Sequence, residues 1–191
     1  MKKFRVVFAA FLAVFWVGSR EVGAAQFEWL LPPVYERAER FSGGLAAVKT
    51  GGLWGYIDPG GRWIVPPQLT EARPHQEGLA SVAVDGKWGF LDLRGNFVIS
   101  PDYEAAGPFS GGLAAVRSGD QWGYANPGGR LVVPPNFDLA GDFYQDRAAV
   151  IIDGRCGFID PGGQWAVLPL YDEAGPFAED RAAIRNLGKF G

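Results

Sequence analysis

The sequence predicts an all-β protein made of tandem 34-residue repeats, each a three-stranded β-meander, stacked in an open, twisted array. Trp-Gly pairs recur at residues 54, 88 and 122, and Cys156-Gly157 takes the fourth position. A short apolar run recurs at 44–48, 78–82 and 112–116, with altered copies at 147–150 and 181–184. A proline closes each unit at residues 33, 67, 101, 135 and 169. The alternative to an open array is a closed, propeller-like ring.

Each unit supplies three strand signals. Leu113–Val116 is apolar, short and preceded by two glycines, which favours a strand over a helix. Trp122–Ala125 is the second strand, with Trp122 and Tyr124 on one face because side chains alternate along a strand. Leu131–Val133, before two prolines, is the third.

The turn between the second and third strands can be typed from its glycines. Three copies contain Pro-Gly, which suggests a type II turn with a positive φ at the glycine. In the second unit, however, Arg94 occupies the position of that glycine. The following glycine is present in every copy, at residues 61, 95, 129 and 163. This pattern predicts a type I turn followed by a left-handed glycine, with Asp58, Asp92, Asn126 and Asp160 capping the turn.

Two aromatic columns follow the third strand of each unit. The first contains Tyr35, Leu69, Tyr103, Phe137 and Tyr171. The second contains Phe41, His75, Phe109, Phe143 and Phe177. A 34-residue meander cannot bury so much apolar surface alone, so the units must stack on one another.

Residues 1–25 lie outside the repeat and are typical of a signal peptide. Lys2, Lys3 and Arg5 precede the apolar run Val6–Val17, and Gly23–Ala25 provides small residues for cleavage. Twelve apolar residues are too few to span about 30 Å of hydrocarbon, which disfavours the alternative of an uncleaved anchor. We therefore expect an exported protein whose repeat domain is 26–191, with a membrane contact only through the signal peptide.

Charge and cysteine content limit the partners and the chemistry. Residues 26–191 keep 14 basic and 20 acidic residues, a balance that disfavours nucleic acid as a partner. The single cysteine, Cys156, allows no internal disulfide. With one His and one Cys, no zinc site of the usual His/Cys type and no Cys-His nucleophile pair is expected, and His75 is interpreted as a ring in a phenylalanine column.

Other polar motifs are better explained by structure than by catalysis. One Asp per 34 residues is too sparse for a calcium-binding β-roll, and Glu36, Glu104, Asp138 and Asp172 are expected to be solvated. A glycosidase-type carboxylate pair stays open, since sequence gives no separation between the groups. The Gly-Gly pairs at 43–44, 111–112 and 128–129 lack the Lys-Ser/Thr and the helix of a phosphate-binding loop. We expect no catalytic residue, no metal and no cofactor.

The repeats resemble the WG-repeat (KWG) family of bacterial proteins. The match lies in Leu45–Val48, Trp54–Asp58 and 61–66, and in their equivalents 34, 68 and 102 residues later. Cys156, Arg147 and Arg181 depart from the family pattern. The resemblance implies a β-repeat protein, often exported or attached to other domains, and it carries no catalytic motif.

The ends of the repeat array bear on its completeness. Residues 28–33 align with 62–67, so the repeat domain begins with the last strand of a unit. Phe190-Gly191 falls on the Trp-Gly position, where a second strand is due, and we expect that the reading frame is truncated there. Ring closure by the N-terminal strand is the alternative.

These features predict a non-enzymatic exported scaffold that binds a protein or a glycan or peptide of the cell envelope. Aromatic residues on the third strand are the candidate binding residues: Trp29, Trp63, Phe97 and Trp165. Their alternative role is a second packing layer. The alternative function is an accessory or targeting segment of an envelope hydrolase whose catalytic domain lies beyond residue 191, and catalysis by carboxylates within the repeats is a third reading.

Overall fold

The computed structural model describes residues 35–175, 181–186 and 189–190. Over these ranges the chain forms β-strands and turns, and no helix there is long and apolar enough to cross a membrane. The predicted signal peptide (1–25), Trp29, Phe177 and Gly191 all lie outside the described residues.

Within the described residues, the strands form five antiparallel sheets that follow one another in chain order. Sheet 1 contains β1 (Arg37–Ala38), β2 (Ala46–Thr50), β3 (Leu53–Ile57) and β4 (Trp63–Leu69). Sheet 2 contains β5 (Glu71–Ala72), β6 (Leu79–Val84), β7 (Lys87–Asp92) and β8 (Phe97–Tyr103). Sheet 3 contains β9 (Ala105–Ser110), β10 (Leu113–Ser118), β11 (Gln121–Ala125) and β12 (Leu131–Phe137). Sheet 4 contains β13 (Leu139–Ala140), β14 (Ala148–Ile152), β15 (Arg155–Ile159) and β16 (Trp165–Tyr171). Sheet 5 contains β17 (Glu173–Ala174), β18 (Ile184–Asn186) and β19 (Lys189–Phe190).

The all-β repeat prediction is confirmed, and the described strands form separate consecutive sheets rather than a closed barrel. The structure adds a first strand before the three expected in each four-stranded sheet, with two residues in sheets 1, 2 and 4 and six in sheet 3. In sheet 1 only Arg37 and Ala38 pair with β2, extended by bonds from Glu36 N to Lys49 O and from Glu39 N to Ala47 O. A two-residue strand held by backbone groups leaves no periodic pattern in the sequence, so the three-stranded prediction does not include it.

Consecutive sheets pack face to face, and each interface repeats the one before it. The third and fourth strands of one sheet contact the first and second strands of the next. Between sheets 3 and 4 the core contains Leu113, Tyr124 and Val133 from one side and Ala148, Val150 and Ile159 from the other. The residues 34 positions earlier form the core between sheets 2 and 3. Each unit therefore buries its apolar faces against its neighbours, as the repeat pattern predicts.

An edge-to-face aromatic pair crosses the interfaces between sheets 1 and 2, sheets 2 and 3, and sheets 3 and 4. Tyr124 meets Phe143 with ring centroids 4.8 Å apart, and Phe90 meets Phe109 at the same distance. At the first interface Tyr56 meets His75 at 4.9 Å. The second aromatic column of the sequence is thus the element that joins successive sheets, and His75 occupies the place of a phenylalanine ring.

The glycine of each Trp-Gly pair faces a β-bulge. Trp54 pairs with Leu69, but Tyr56 pairs with Val65, so the proline-containing part of β4 has extra residues opposite Gly55. A Cβ at residue 55 would lie 2.4 Å from the Val65 carbonyl oxygen. The Trp-Gly and Pro-Pro motifs therefore belong to the same β-bulge. The bulged strand carries the prolines, and the strand opposite needs glycine because a larger residue would collide with the bulged backbone.

The turn prediction is confirmed. Gly61 has φ of +81°, and its N–H donates to the Asp58 carbonyl at 2.9 Å. The Asp58 carboxylate accepts from the N–H groups of Gly60 and Arg62 at 3.0 and 2.9 Å. The same side chain-to-backbone bonds recur at Asp92, Asn126 and Asp160. These residues serve as turn caps.

Candidate functional site

The last strand of each four-stranded sheet is an edge strand that begins with a large apolar residue. We call this set the edge-strand row: Trp63, Phe97, Leu131 and Trp165. Phe97 is 45% exposed, and Leu131 and Trp165 are each 38% exposed. Three predicted binding residues thus lie on equivalent edge strands, and the fourth, Trp29, lies outside the described residues. The aromatic pattern does not include Leu131, because its side chain is aliphatic, although the 34-residue register identifies its position.

Two members of the edge-strand row also pack on the preceding unit. The Trp63 ring meets Tyr35 edge to face at 5.9 Å, and the Trp165 ring meets Phe137 at 6.0 Å. Trp63 is only half-buried, but it also covers Gly55 and packs against the core of sheet 1. The alternative role as a packing layer therefore fits Trp63 best, whereas Phe97 has the most exposed side chain of the row.

A groove of about 330 Å³ runs beside β8, between sheet 2 and the turns of sheet 3. Its lining is Val98, Ile99, Ser100, Asp102, Tyr103, Ser118 and Gly129. Val98 is 43% exposed, and Phe97 precedes it on the same strand. Burial raises the pKa of Tyr103, and the Asp102 carboxylate acts in the same direction, so the phenol stays neutral at ordinary pH. The groove combines exposed apolar surface with hydroxyl and carboxylate groups that can bind polar ligands.

A second cavity, about 430 Å³ in volume, lies where sheets 3, 4 and 5 meet. Ser110, Asp142, Tyr144 and Arg147 are its polar lining residues. Desolvation raises the pKa of Asp142, while the positive charge of Arg73 lowers it. The Ser110 hydroxyl donates to the Phe143 carbonyl at 2.6 Å, so it is already used in joining sheets 3 and 4.

The acidic residues beside the first aromatic column cap hairpin turns. Glu104 accepts from the N–H of Gly119 at 3.0 Å and from the Lys87 ammonium at 2.6 Å. The bond from Lys87 is the main cause that holds the pKa of Glu104 below its usual range. Glu36 and Asp138 lie equivalently beside the N–H groups of Gly52 and Gly154. Glu36 and Asp138 are exposed, as expected, and Glu104 is partly exposed, but each has a structural partner that the sequence did not reveal.

His75 and Cys156, the one histidine and the one cysteine of the sequence, are both buried. Burial lowers the pKa of His75, whose Nε2 lies 3.4 Å from the Asp92 carbonyl, so the imidazole is neutral at ordinary pH. Burial also raises the pKa of the Cys156 thiol, which keeps it protonated and unreactive. Across residues 35–175 and 181–186, no three His, Cys, Asp or Glu side chains are grouped so that they could hold a metal ion.

Solved structures with a similar chain course have low sequence identity to this protein. Hsv2 from Kluyveromyces lactis has a TM-score of 0.49 and 8% identity, over 75% of this chain and 53% of that one. PorZ of Porphyromonas gingivalis is a bacterial surface component of the type-IX secretion system. It has a TM-score of 0.39 and 13% identity, over 81% of this chain and 24% of that one. The extracellular domain of BT3049 from B. thetaiotaomicron has a TM-score of 0.40 and 8% identity, over 78% of this chain and 25% of that one. The chain spans about half or less of the length of these proteins.

Sequence comparison adds the family. No curated protein matches the chain significantly. The model of the WG containing repeat matches five times in tandem, over residues 25–54, 54–88, 88–122, 122–156 and 157–190. The matches begin and end near the Trp-Gly positions, where the structure places the glycine against the bulge. The chain is therefore a member of the WG containing repeat family, as its Trp-Gly register indicated.

Proposed function

We propose that this protein is an exported, non-enzymatic binding module that holds a glycan-peptide of the cell envelope along the groove beside β8. The observation that carries the proposal is the groove itself, where exposed Val98 adjoins Ser100 and Asp102, and the exposed ring of Phe97 lies at the start of the same strand. An aromatic ring offers a flat apolar surface to a sugar or an aliphatic side chain, and the polar groups fix its orientation.

The repeat arrangement supports binding rather than catalysis. The recurring Asp, aromatic and glycine columns are used in turn caps, interface pairs and bulges, so their recurrence has a structural cause. His75 and Cys156 are buried and held in unreactive protonation states. Stacked repeats of this kind commonly bind along an extended surface. Export is supported by the basic and apolar pattern of residues 1–25.

The test uses the purified protein and soluble peptidoglycan fragments in calorimetric titrations. We expect saturable binding, and about two- to tenfold weaker binding by Phe97→Ala, since an aromatic contact contributes about 0.5–1.5 kcal/mol. Leu139→Ala is the matched control, because Leu139 is 55% exposed but lies on β13, away from the groove. Equal loss in both variants, or no binding of the fragments, contradicts the proposed site.

Two further measurements separate export and catalysis from binding. A tagged full-length chain is expected outside the cytoplasm, and a chain without residues 1–25 inside it. Incubation of the fragments with the protein should leave their chromatographic profile unchanged. New cleavage products that appear only with the protein contradict the non-enzymatic part of the proposal.

A further inference from the structure

The turn Gly43-Gly44 has two backbone N–H groups with no acceptor among the described residues. Ser42 and Leu45 pair around it, with N–H to carbonyl distances of 2.8 and 3.1 Å, so the turn itself is closed. Both glycines are exposed and have positive φ, +61° and +82°, as in a type I′ hairpin turn. Two adjacent N–H groups in such a turn form a concave donor site for an anion.

The equivalent turn two repeats later already holds a carboxylate. Gly111 and Gly112 have φ of +61° and +76°, close to the values at Gly43 and Gly44. The N–H of Gly111 donates to Glu77 Oε1 at 2.8 Å, and the N–H of Gly112 donates to Glu77 Oε2 at 2.9 Å. One carboxylate therefore satisfies both donors, one oxygen each, in a charge-assisted geometry.

The repeat register explains why the first turn has no such partner. Glu77 precedes Gly111 by 34 residues, so the unit before a turn supplies the carboxylate. The residue 34 positions before Gly43 is Ala9, which has no polar side-chain atom and lies in residues 1–25, outside the repeat, so no repeat unit supplies an acid at that position. The first turn thus has the donor geometry of the third without the acid that its register position would provide.

We propose that the Gly43-Gly44 turn binds the carboxylate of a partner peptide. Leu93 lies beside the turn: a Cβ at residue 43 would be 2.6 Å from Leu93 Cδ2, and Leu93 is 40% exposed. An aliphatic group next to the carboxylate can pack on Leu93 while the carboxylate accepts from the turn. The ligand that fits is a peptide C-terminus that ends in an aliphatic residue, captured by backbone N–H groups. This site is separate from the groove beside β8 and does not rest on the function proposed there.

The test follows backbone amide resonances of the purified, ¹⁵N-labelled protein during titration with N-acetyl-Ala-Ala-Leu. We expect saturable shifts of the Gly43 and Gly44 resonances with the free carboxylate and none with the C-terminal amide of the same peptide. Gly111 and Gly112 are the internal control, since the Glu77 carboxylate occupies their N–H groups. Shifts of equal size with the amide peptide, or no shifts in a folded protein, overturn the proposal.

Two variants sharpen the result. Glu77→Gln removes the internal carboxylate, so Gly111 and Gly112 are expected to shift with the peptide as Gly43 and Gly44 do. If Gly111 and Gly112 stay unresponsive in a folded Glu77→Gln protein, the turn geometry alone does not make a carboxylate site, and the proposal fails. Leu93→Ala is expected to weaken binding of N-acetyl-Ala-Ala-Leu several-fold while leaving the response to acetate unchanged. Equal weakening for acetate assigns the effect to a disturbed turn and overturns the role of Leu93.

Discussion

Gly123 lies against the carbonyl of Val133, so closely that a Cβ at residue 123 would be 2.5 Å from that oxygen. The contact exists because Trp122 pairs with Phe137 while Tyr124 pairs with Val133, which forces a bulge into β12 opposite the glycine. The same approach recurs at Gly55, Gly89 and Gly157. The glycine that defines the family motif is therefore a packing requirement of the neighbouring strand.

Gly123→Ala is expected to destabilise the protein by about 2–4 kcal/mol, because backbone must move to admit the methyl group. Gly128→Ala is the matched control. Its φ is not in the left-handed region, and its Cβ would meet only the Asn126 side chain at 3.5 Å. In urea unfolding, the free energy of unfolding of the control should lie within about 0.5 kcal/mol of that of the original protein. Similar stabilities for both variants would show that the bulge yields at little cost.

Tyr124→Phe is expected to cost about 1 kcal/mol, because the Tyr124 hydroxyl donates to the Gly141 carbonyl at 2.8 Å across the sheet 3–sheet 4 interface. Phe90 occupies the same position in sheet 2, so the ring packs without the hydroxyl. The cost should therefore be that of the hydrogen bond alone. A loss above about 3 kcal/mol would indicate a rearranged core instead.

Alkaline pH offers a second measurement on the buried tyrosines. Burial raises the pKa of Tyr56 and Tyr124 above the ordinary value of 10.0. Their contribution to stability is complete below pH 10 and is lost above it, as the unfolded chain releases these protons first. A Tyr56→Phe, Tyr124→Phe double variant should lose less stability than the original protein on going from about pH 9 to pH 11. Parallel pH profiles would contradict this.

His75→Phe is expected to stabilise the protein, most strongly at acidic pH. His75 Nδ1 is buried without a hydrogen-bond partner among the described residues, and Phe109 and Phe143 fill the equivalent positions. Because burial lowers the pKa of His75, the folded state resists its protonation. The unfolded histidine protonates near the ordinary value of 6.5, so stability is full above that pH and falls below it.

The measurement is thermal unfolding of both proteins from about pH 7.5 to pH 5. The gain in the variant should be about 1 kcal/mol near pH 7 and should grow as the pH falls. Both proteins carry the same carboxylates, so the difference between their stabilities reports the histidine together with its coulombic coupling to Asp92. A constant difference over this range would show that His75 keeps its ordinary pKa.

The repeat register predicted the strands and turns that carry long patterns. The left-handed glycines at 61, 95, 129 and 163 could be identified because Arg94 excluded the competing turn type. The two-residue first strands of sheets 1, 2, 4 and 5 could not be predicted, since their pairing relies on backbone bonds such as Glu39 N to Ala47 O. Short strands without side-chain periodicity give no sequence signal.

The candidate site could be predicted only in part. Register placed Trp63, Phe97 and Trp165 on equivalent strands, but their different exposure depends on neighbours such as Tyr35 and Phe137 in the preceding unit. The carboxylate contact between Glu77 and Gly111 joins residues 34 positions apart, and a Gly-Gly pair alone does not reveal it. Such contacts depend on how neighbouring units stack, and the sequence of a single unit does not determine that stacking.

Cys156→Trp is expected to raise the melting temperature of the protein. Cys156 is buried and pairs with Tyr171, at the position where Trp88 pairs with Tyr103 in sheet 2. The array therefore already accommodates one Trp opposite a Tyr. Replacing the smaller Cys156 side chain by Trp should raise the free energy of unfolding by about 1 kcal/mol. Cys156→Ala is the matched control and should lower the melting temperature, because it enlarges the site. If Cys156→Trp also melts at the original temperature or below, sheet 4 has repacked around the small side chain and the Trp-Gly position there is no longer equivalent to the other three.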